Sequence, residues 1–511
     1  MTQMNKNLLY ILTIVAALGF TSCDKYLDTT PDNRMELDSE EKVKELLTSA
    51  YPEFTYGLFC FAMSDNADDK GPGHQSMINN EQGYFWEEFS DVNQDSPAGY
   101  WDKCYSAISH ANKALEFIES QKVGGEIPNS YLPYYGEALV IRAYCHFMLV
   151  NLWGNPYNPA TAASDLGVPY VTEVETVVFK DYKRETVAKV YELIEKDLVE
   201  GLQYIDDSAY DVPKYHFNKA AANTFASRFY LYKGEWQKVV DYSTDALGSN
   251  ASSYLRNLSG KYKNMGLNEQ ITEYTKSTEP ANFMLTSNVT YWFYYFQAVL
   301  QYGYTSNVSE QGIKQKLFDN IFNLTGNNEW CQATASFGEG DDFILKWGYF
   351  FKRMDVNSDI GWYYAMTPKI VAEEALFNRI EANVMLKKYT EAEQDLDSYF
   401  EKRMTNYADE NKVTEANITA AYQDDSNADS PLNPWYDFDD KQRTYLNCVI
   451  DTRRREFYYN GMRWFDIRRF NLKVVHKVKN GTPVILEAND ARKALQIPVS
   501  AQQYGLQSNA R

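Results

Sequence analysis

Asn218 to Leu247 reads NKAAANTFASRFYLYKGEWQKVVDYSTDAL, and this stretch decides the fold. Small residues lead into an aromatic run, Gly234-Glu235-Trp236 interrupts it, and a second periodic stretch closes on Ala246-Leu247. A 3.6-residue apolar period on both sides of a glycine predicts two helices joined by a tight turn. Residues 372–399, AEEALFNRIEANVMLKKYTEAEQDLDSY, repeat the shape with Tyr389 standing where Trp236 stands. The two aromatics are 153 residues apart, so a large segment is inserted between the copies.

Outward from these pairs, further helices are predicted near 41–51, over about 100–120 and over 184–205. Another covers 131–153, YLPYYGEALVIRAYCHFMLVNLW, stopped by Gly154 and Pro156. Small residues that let helices approach, with an aromatic at the turn, make both pairs resemble tetratricopeptide units. The insertion, 248–368, has no sustained helical period and carries 24 aromatics in 121 residues, 20% against 15% for the chain. Its run Tyr291-Trp292-Phe293-Tyr294-Tyr295-Phe296, read as a strand, sends alternate rings to opposite faces. Long irregular excursions from a regular scaffold usually carry function.

The chain has 511 residues, a soft prior of three domain-sized units. Fifty Lys+Arg against 70 Asp+Glu give a net charge of −20, which disfavours nucleic acid and anionic headgroups as partners. With 44% apolar residues and 41 Tyr, 27 Phe and 10 Trp, disorder is excluded. Cys60, Cys104, Cys145, Cys331 and Cys448 are widely spaced with no C-x-x-C, which predicts buried free thiols over a zinc or redox site. The five histidines are scattered and form no H-E-x-x-H motif.

Leu8–Phe20, LLYILTIVAALGF, is too short to span a bilayer and has the length of a signal-peptide core. It ends at Phe20-Thr21-Ser22-Cys23, which resembles a bacterial lipobox with Phe in place of the usual Leu. Cys23 is then the lipid-bearing first residue of the mature chain. The expected organisation is a signal peptide (1–22), a lipidated tether (23–41) and a helical scaffold (42–247) containing a loop at 64–101. The insertion (248–368), a tetratricopeptide-like pair (369–405) and a C-terminal segment (406–511) follow. That last segment holds PLNPWYDFDD (431–440), a basic helix from Asp451 to Phe470 and LQIPVS (495–500).

CDKYLDTTP behind an export signal, GEALVIRAYCHFMLVNLWGNPY, the paired helices around an insertion, and RRREFYYNGMRWFDIRRF before QIPVS together resemble the SusD/RagB family. The resemblance covers nearly the whole mature chain. It implies a mainly α fold, a tetratricopeptide-like helical-pair scaffold with a large loop-rich, aromatic-rich insertion. It further implies an outer-membrane lipoprotein facing the cell exterior, held to the membrane by its lipid alone. Such a protein captures oligosaccharides for a TonB-dependent transporter, without catalysis and without a cofactor. Ligand contacts do not transfer by motif within such a family.

Sugar rings stack on aromatic planes while their hydroxyls need a few polar partners. The loop 64–101 supplies Asp65, Asp68, Lys70, Tyr84 and Trp86; the insertion supplies Trp292, Tyr295, Trp330, Trp347 and Trp362. Of these, Trp86, Trp292 and Trp330 are expected to be exposed. The arginines of 451–470 read as scaffold, pairing with Asp451, Glu456 and Asp466. Asp355-x-Asn357-x-Asp359-x-Gly361 and Asp425-x-Asn427-x-Asp429 resemble calcium loops but lack the terminal Glu, so solvated turns are favoured over a surface calcium. The rivals are peptide capture within the same uptake system and a helical glycoside hydrolase, for which Glu87, Glu88, Asp341 and Asp342 would be the carboxylates.

Overall fold

A computed structural model of the chain describes residues 37–175, 181–248, 250–293, 298–303, 334–336, 342–344, 346–357, 359–408, 412–423, 430–458 and 460–511. Two compact units are distinguished, Met1–Lys42 and Val43–Arg511. The helix expected near 41–51 spans Glu40–Thr48. Everything below concerns the larger unit.

Its helices follow from local signals. After α1 (Gly57–Met63) and α2 (Ile78–Tyr84), α3 (Pro97–Ser120) starts where the Ser96 hydroxyl accepts the Gly99 amide at 3.0 Å, with Pro97 in the first turn. α4 (Leu132–Trp153) is buried all round, as its unbroken apolar run requires, and packs between α3 and α5 (Val187–Leu202). The Asn218 side chain caps α6 (Lys219–Lys233) by accepting the Ala221 amide at 3.0 Å. Gly234 then takes φ +72° and turns the chain into α7 (Trp236–Leu247). The second copy forms α8 (Ala372–Met385) and α9 (Tyr389–Glu401), with Lys387 at φ +60° in the place of Gly234. α10 (Asp440–Glu456) and α11 (Met462–Arg469) complete the body.

Although remote in sequence, the two pairs are neighbours: α8 packs on both α6 and α7. Arg228 on α6 and Glu374 on α8, each 2% exposed as side chains, form a forked ion pair across that contact. A second buried knot joins Arg403 to Glu373 at 3.0 Å and Glu456 at 2.9 Å. The mainly α, tetratricopeptide-like organisation therefore holds.

The insertion leaves and returns through a sheet. β2 (Asn282–Val289) pairs antiparallel with β5 (Gly361–Val371), which pairs in turn with β4 (Phe350–Arg353). β5 runs directly into α8, so the helical body fixes the hairpin β4–β5 at its base. Tyr291 to Phe293 form a bend, not the strand that their alternation suggested, and Tyr294 to Phe296 lie outside the described residues. Cys60, Cys104, Cys145 and Cys448 are buried free thiols; Cys331 lies outside the described residues. Among the described residues no helix is long and apolar enough to cross a membrane.

Candidate functional site

The loop 64–101 and the insertion are zipped together by main-chain hydrogen bonds. β1 (Asp68–Asp69) pairs with β3 (Tyr302–Gly303), and Lys70 and Gln75 donate to the Gln301 and Val299 carbonyls, each at 2.9 Å. Asp95, fully buried at φ +61°, accepts the Thr290 hydroxyl at 2.5 Å and the Tyr291 amide at 2.6 Å. It thereby ties the start of the aromatic run to the loop. Burial pushes its carboxyl up to about 7, against the two hydrogen bonds that lower it.

A carboxyl near 3.9 when unfolded and near 7 when folded binds more protons in the folded state, so its contribution to stability falls as pH rises between those values. We expect Asp95→Asn to remove this term. Relative to the unaltered chain, the variant should gain on the order of 2 kcal/mol between pH 5 and pH 8. Denaturant midpoints at the two pH values measure it; parallel profiles would mean that Asp95 does not titrate there.

Of the side chains nominated from the sequence, Asp65, Lys70, Tyr84, Trp86, Trp292 and Trp347 are held in packing or hydrogen bonds within the body. Asp65 is clamped by Arg463 at 2.7 and 2.8 Å; burial opposes its ionisation, but Arg454 and Arg463 hold its carboxyl far below the usual range. Lys70 is buried and donates to the Ala298 carbonyl, and Asp68 receives the Asp69 amide at 3.0 Å. Tyr84 and Trp86 sandwich the His476 ring at 4.1 and 4.3 Å, and the Trp86 indole N–H donates to the Met63 carbonyl at 2.9 Å. Trp292 is 2% exposed, 4.9 Å from the Phe61 ring, and its carbonyl accepts the Trp347 indole N–H at 3.0 Å. The expectation that Trp86 and Trp292 stand exposed is thus corrected: each covers its faces with partners from distant segments. Tyr295, Trp330 and Cys23 lie outside the described residues.

A cluster of rings that meets solvent sits on the hairpin. Register places Phe350 opposite Tyr364 and Lys352 opposite Trp362, so these four share one face. Phe350 and Tyr364 stack at 5.4 Å with 13° between planes, the Lys352 ammonium lies 5.8 Å from the Tyr364 ring, and Trp362 is 41% exposed. The opposite face anchors the hairpin: Tyr363 packs on Tyr291, Phe293 and Phe351. Buried Phe293 stacks on Tyr349 at 4.2 Å and belongs to the same core as Tyr84 and Trp292. An aromatic face held in register on a buried base can stack on an apolar ligand face without ordering itself first.

Of this platform only Trp362 was singled out from the sequence. Phe350, Lys352 and Tyr364 were missed, although Phe-Phe-Lys-Arg and Trp-Tyr-Tyr around a turn carry the alternation of a hairpin. The calcium-like stretch is that turn: the Asp355 carboxylate accepts the Asn357 amide at 2.8 Å, and Asp359 pairs with Arg353 at 3.2 Å. Asp425 to Asp429 lie outside the described residues, among which no cluster of three or more His, Cys, Asp or Glu is placed to hold a metal. Glu87 and Glu88 are exposed; Asp341 and the side chain of Asp342 lie outside the described residues.

The arginines of the basic helix are scaffold in the main. Arg455 pairs with Asp451 at 2.8 Å, and Arg469 with Glu381 and Asp466 at 2.8 and 2.9 Å.

Residues 25–231 match the SusD-like family described as starch-binding and associating with the outer membrane. A SusD superfamily protein of Bacteroides vulgatus superposes with a TM-score of 0.64 at 18% identity, covering 93% of this chain and 99% of its own. One from Bacteroides thetaiotaomicron gives 0.61 at 19% identity, with 93% and 100% covered. A laminarin-binding SusD-like protein gives 0.54 at 15%, with 93% and 99% covered. No curated protein sequence matches the chain. The match over residues 25–231 and the fold shared over nine-tenths of the chain make this protein similar to the SusD-like proteins, the first in sequence over that segment and the second in architecture.

Proposed function

We propose that the chain is a cell-surface lipoprotein that binds oligosaccharides non-covalently by stacking on the β4–β5 hairpin and delivers them to a TonB-dependent transporter. The observation that carries this reading is exposed Phe350 and Trp362 with half-buried Tyr364, fixed in register beside Lys352. The family description as starch-binding and the laminarin-binding relative favour a glycan over a peptide as the stacked ligand. Anchoring rests on the apolar run Leu8–Phe20 followed by Cys23. Binding by the free protein should be weak, because desolvating sugar hydroxyls offsets much of the contact energy.

Affinity electrophoresis in gels containing starch, laminarin or other glycans tests this. Trp362→Ala and Phe350→Ala should each weaken retention about tenfold or more. Being exposed, both should change stability by no more than about 0.5 kcal/mol. Full retention by both variants would remove the hairpin from the site. Capture of peptides alone, or turnover of the bound sugar, would overturn the assignment as a glycan-binding protein.

A further inference from the structure

Away from the hairpin, a cleft of about 750 Å³ opens between the loop 155–166, residues 433–435 and the C-terminal segment 468–510. Trp435 forms one wall and is 37% exposed. Its ring is fixed: it meets Tyr436 edge-on at 5.3 Å and Tyr157 at 6.5 Å. It also lies so close over Gly234 that a Cβ there would come within 2.9 Å of the indole. A half-exposed indole locked on three sides is a stacking plane that pays no ordering cost on binding.

The cleft also contains a buried cation, Lys493, that forms no ion pair within 4 Å among the described residues, although the Asp490 and Glu487 carboxylates lie near enough to favour its charge. Lys493 is 6% exposed, and its ammonium donates to the Asn471 side-chain carbonyl at 3.1 Å. Neither neighbouring carboxylate is spare: Asp490 is paired with Arg492 at 2.7 Å and Glu487 with Lys473 at 3.3 Å. Asp165, also in the wall, has its oxygens taken by Asn155 at 3.1 Å and Thr161 at 2.6 Å. Arg468 beside them spends its terminal nitrogens on the Asn151 and Gly154 carbonyls and leaves its Nε unpartnered. Burial pushes Lys493 down to about 8, against the pull of the Asp490 and Glu487 carboxylates, and pushes Arg468 down to about 10. In a chain of net charge −20, a buried lysine that lines a cleft with a single hydrogen bond from its ammonium needs an explanation.

We propose that this cleft is a second carbohydrate site, selective for an acidic glycan, in which a sugar ring stacks on Trp435 and a uronate carboxylate meets the Lys493 ammonium. Asn158 and Asn433 line the same walls, and amide groups suit ring hydroxyls. The site is independent of the hairpin: no residue is shared, and either can fail without the other.

The test is calorimetric titration of the full chain with tetragalacturonate and with the same tetrasaccharide after carboxyl reduction. A charge-assisted hydrogen bond predicts that the acidic form binds about tenfold tighter or more. Lys493→Met should erase that preference, Trp435→Ala should weaken both ligands, and Trp362→Ala should leave the preference unchanged. The ligand pair on the unaltered chain and the exposed Trp435 variant decide the matter should the Lys493 variant not fold. Equal binding of the two forms, no binding of tetragalacturonate, or a preference that survives Lys493→Met or disappears with Trp362→Ala would overturn the proposal.

Discussion

Replacing Arg228 by Met is expected to lower the stability of the helical body by about 3–5 kcal/mol. The reason is what the change leaves behind. Glu374 is 2% exposed and both of its oxygens are occupied by the Arg228 guanidinium, so removing the cation strands a carboxylate in the seam between α6 and α8. Methionine fills much of the space and can keep contact with Tyr144, whose ring lies 6.0 Å from the guanidinium carbon. The loss is therefore one of charge, not of volume. A double-mutant cycle separates the two: adding Glu374→Leu should recover most of the loss, because an apolar pair in place of a buried ion pair is often neutral. Denaturant midpoints of the four chains measure it. A single variant that costs less than about 1 kcal/mol would show that the pair is not what joins the two helical pairs.

That joint is also where sequence reasoning stopped. Each helical pair was legible alone, since Gly234, the flanking small residues and the 3.6 period act over a few residues. The stop of α4 at Gly154 was equally local. Nothing local says that a segment closing at Leu247 and another opening at Ala372 become neighbours. The contact is made by Arg228 and Glu374, two charged residues on otherwise apolar helices, which read as solvent-facing until their partners are known. The arginines of α10 and α11 were readable as scaffold only where a carboxylate lies within a turn, as Asp451 does for Arg455 and Asp466 for Arg469; the partners Asp65 of Arg463 and Glu381 of Arg469 come from distant segments.

The site divides in the same way. That aromatics concentrate in two excursions was visible from composition, and the structure brings those excursions together through β1 and β3. Which rings face water was not visible, because burial of a loop aromatic depends on distant groups. Trp86 is covered by His476, 390 positions along the chain, from which nothing in the loop's own sequence could warn. Trp362 and Phe350 are exposed for the converse reason: Tyr291 and Phe293 pack on Tyr363, and Phe350, Phe351 and Trp362 around it stay open to solvent.

Trp292 and Trp362 therefore make opposite predictions from the same residue type. Trp292→Ala should cost about 3–5 kcal/mol, the range for deleting a buried large aromatic. The indole is 2% exposed and wedged against Gly57, where a built Cβ would lie 2.6 Å from its ring, so no backbone or side chain stands ready to collapse into the hole. Its neighbours Phe61, Phe293 and Trp347 belong to the core beneath the hairpin, and loss of the wedge should loosen that base. Glycan retention should then fall only as far as the folded fraction falls, and should recover under conditions that restore folding. Trp362→Ala should do the reverse, keeping the midpoint and losing retention. Thermal or denaturant unfolding and gel retention, run in parallel on the two variants, give four numbers with a fixed pattern. A Trp292→Ala chain of unchanged stability that no longer binds would return the buried ring to the ligand face and dismiss the hairpin as the platform.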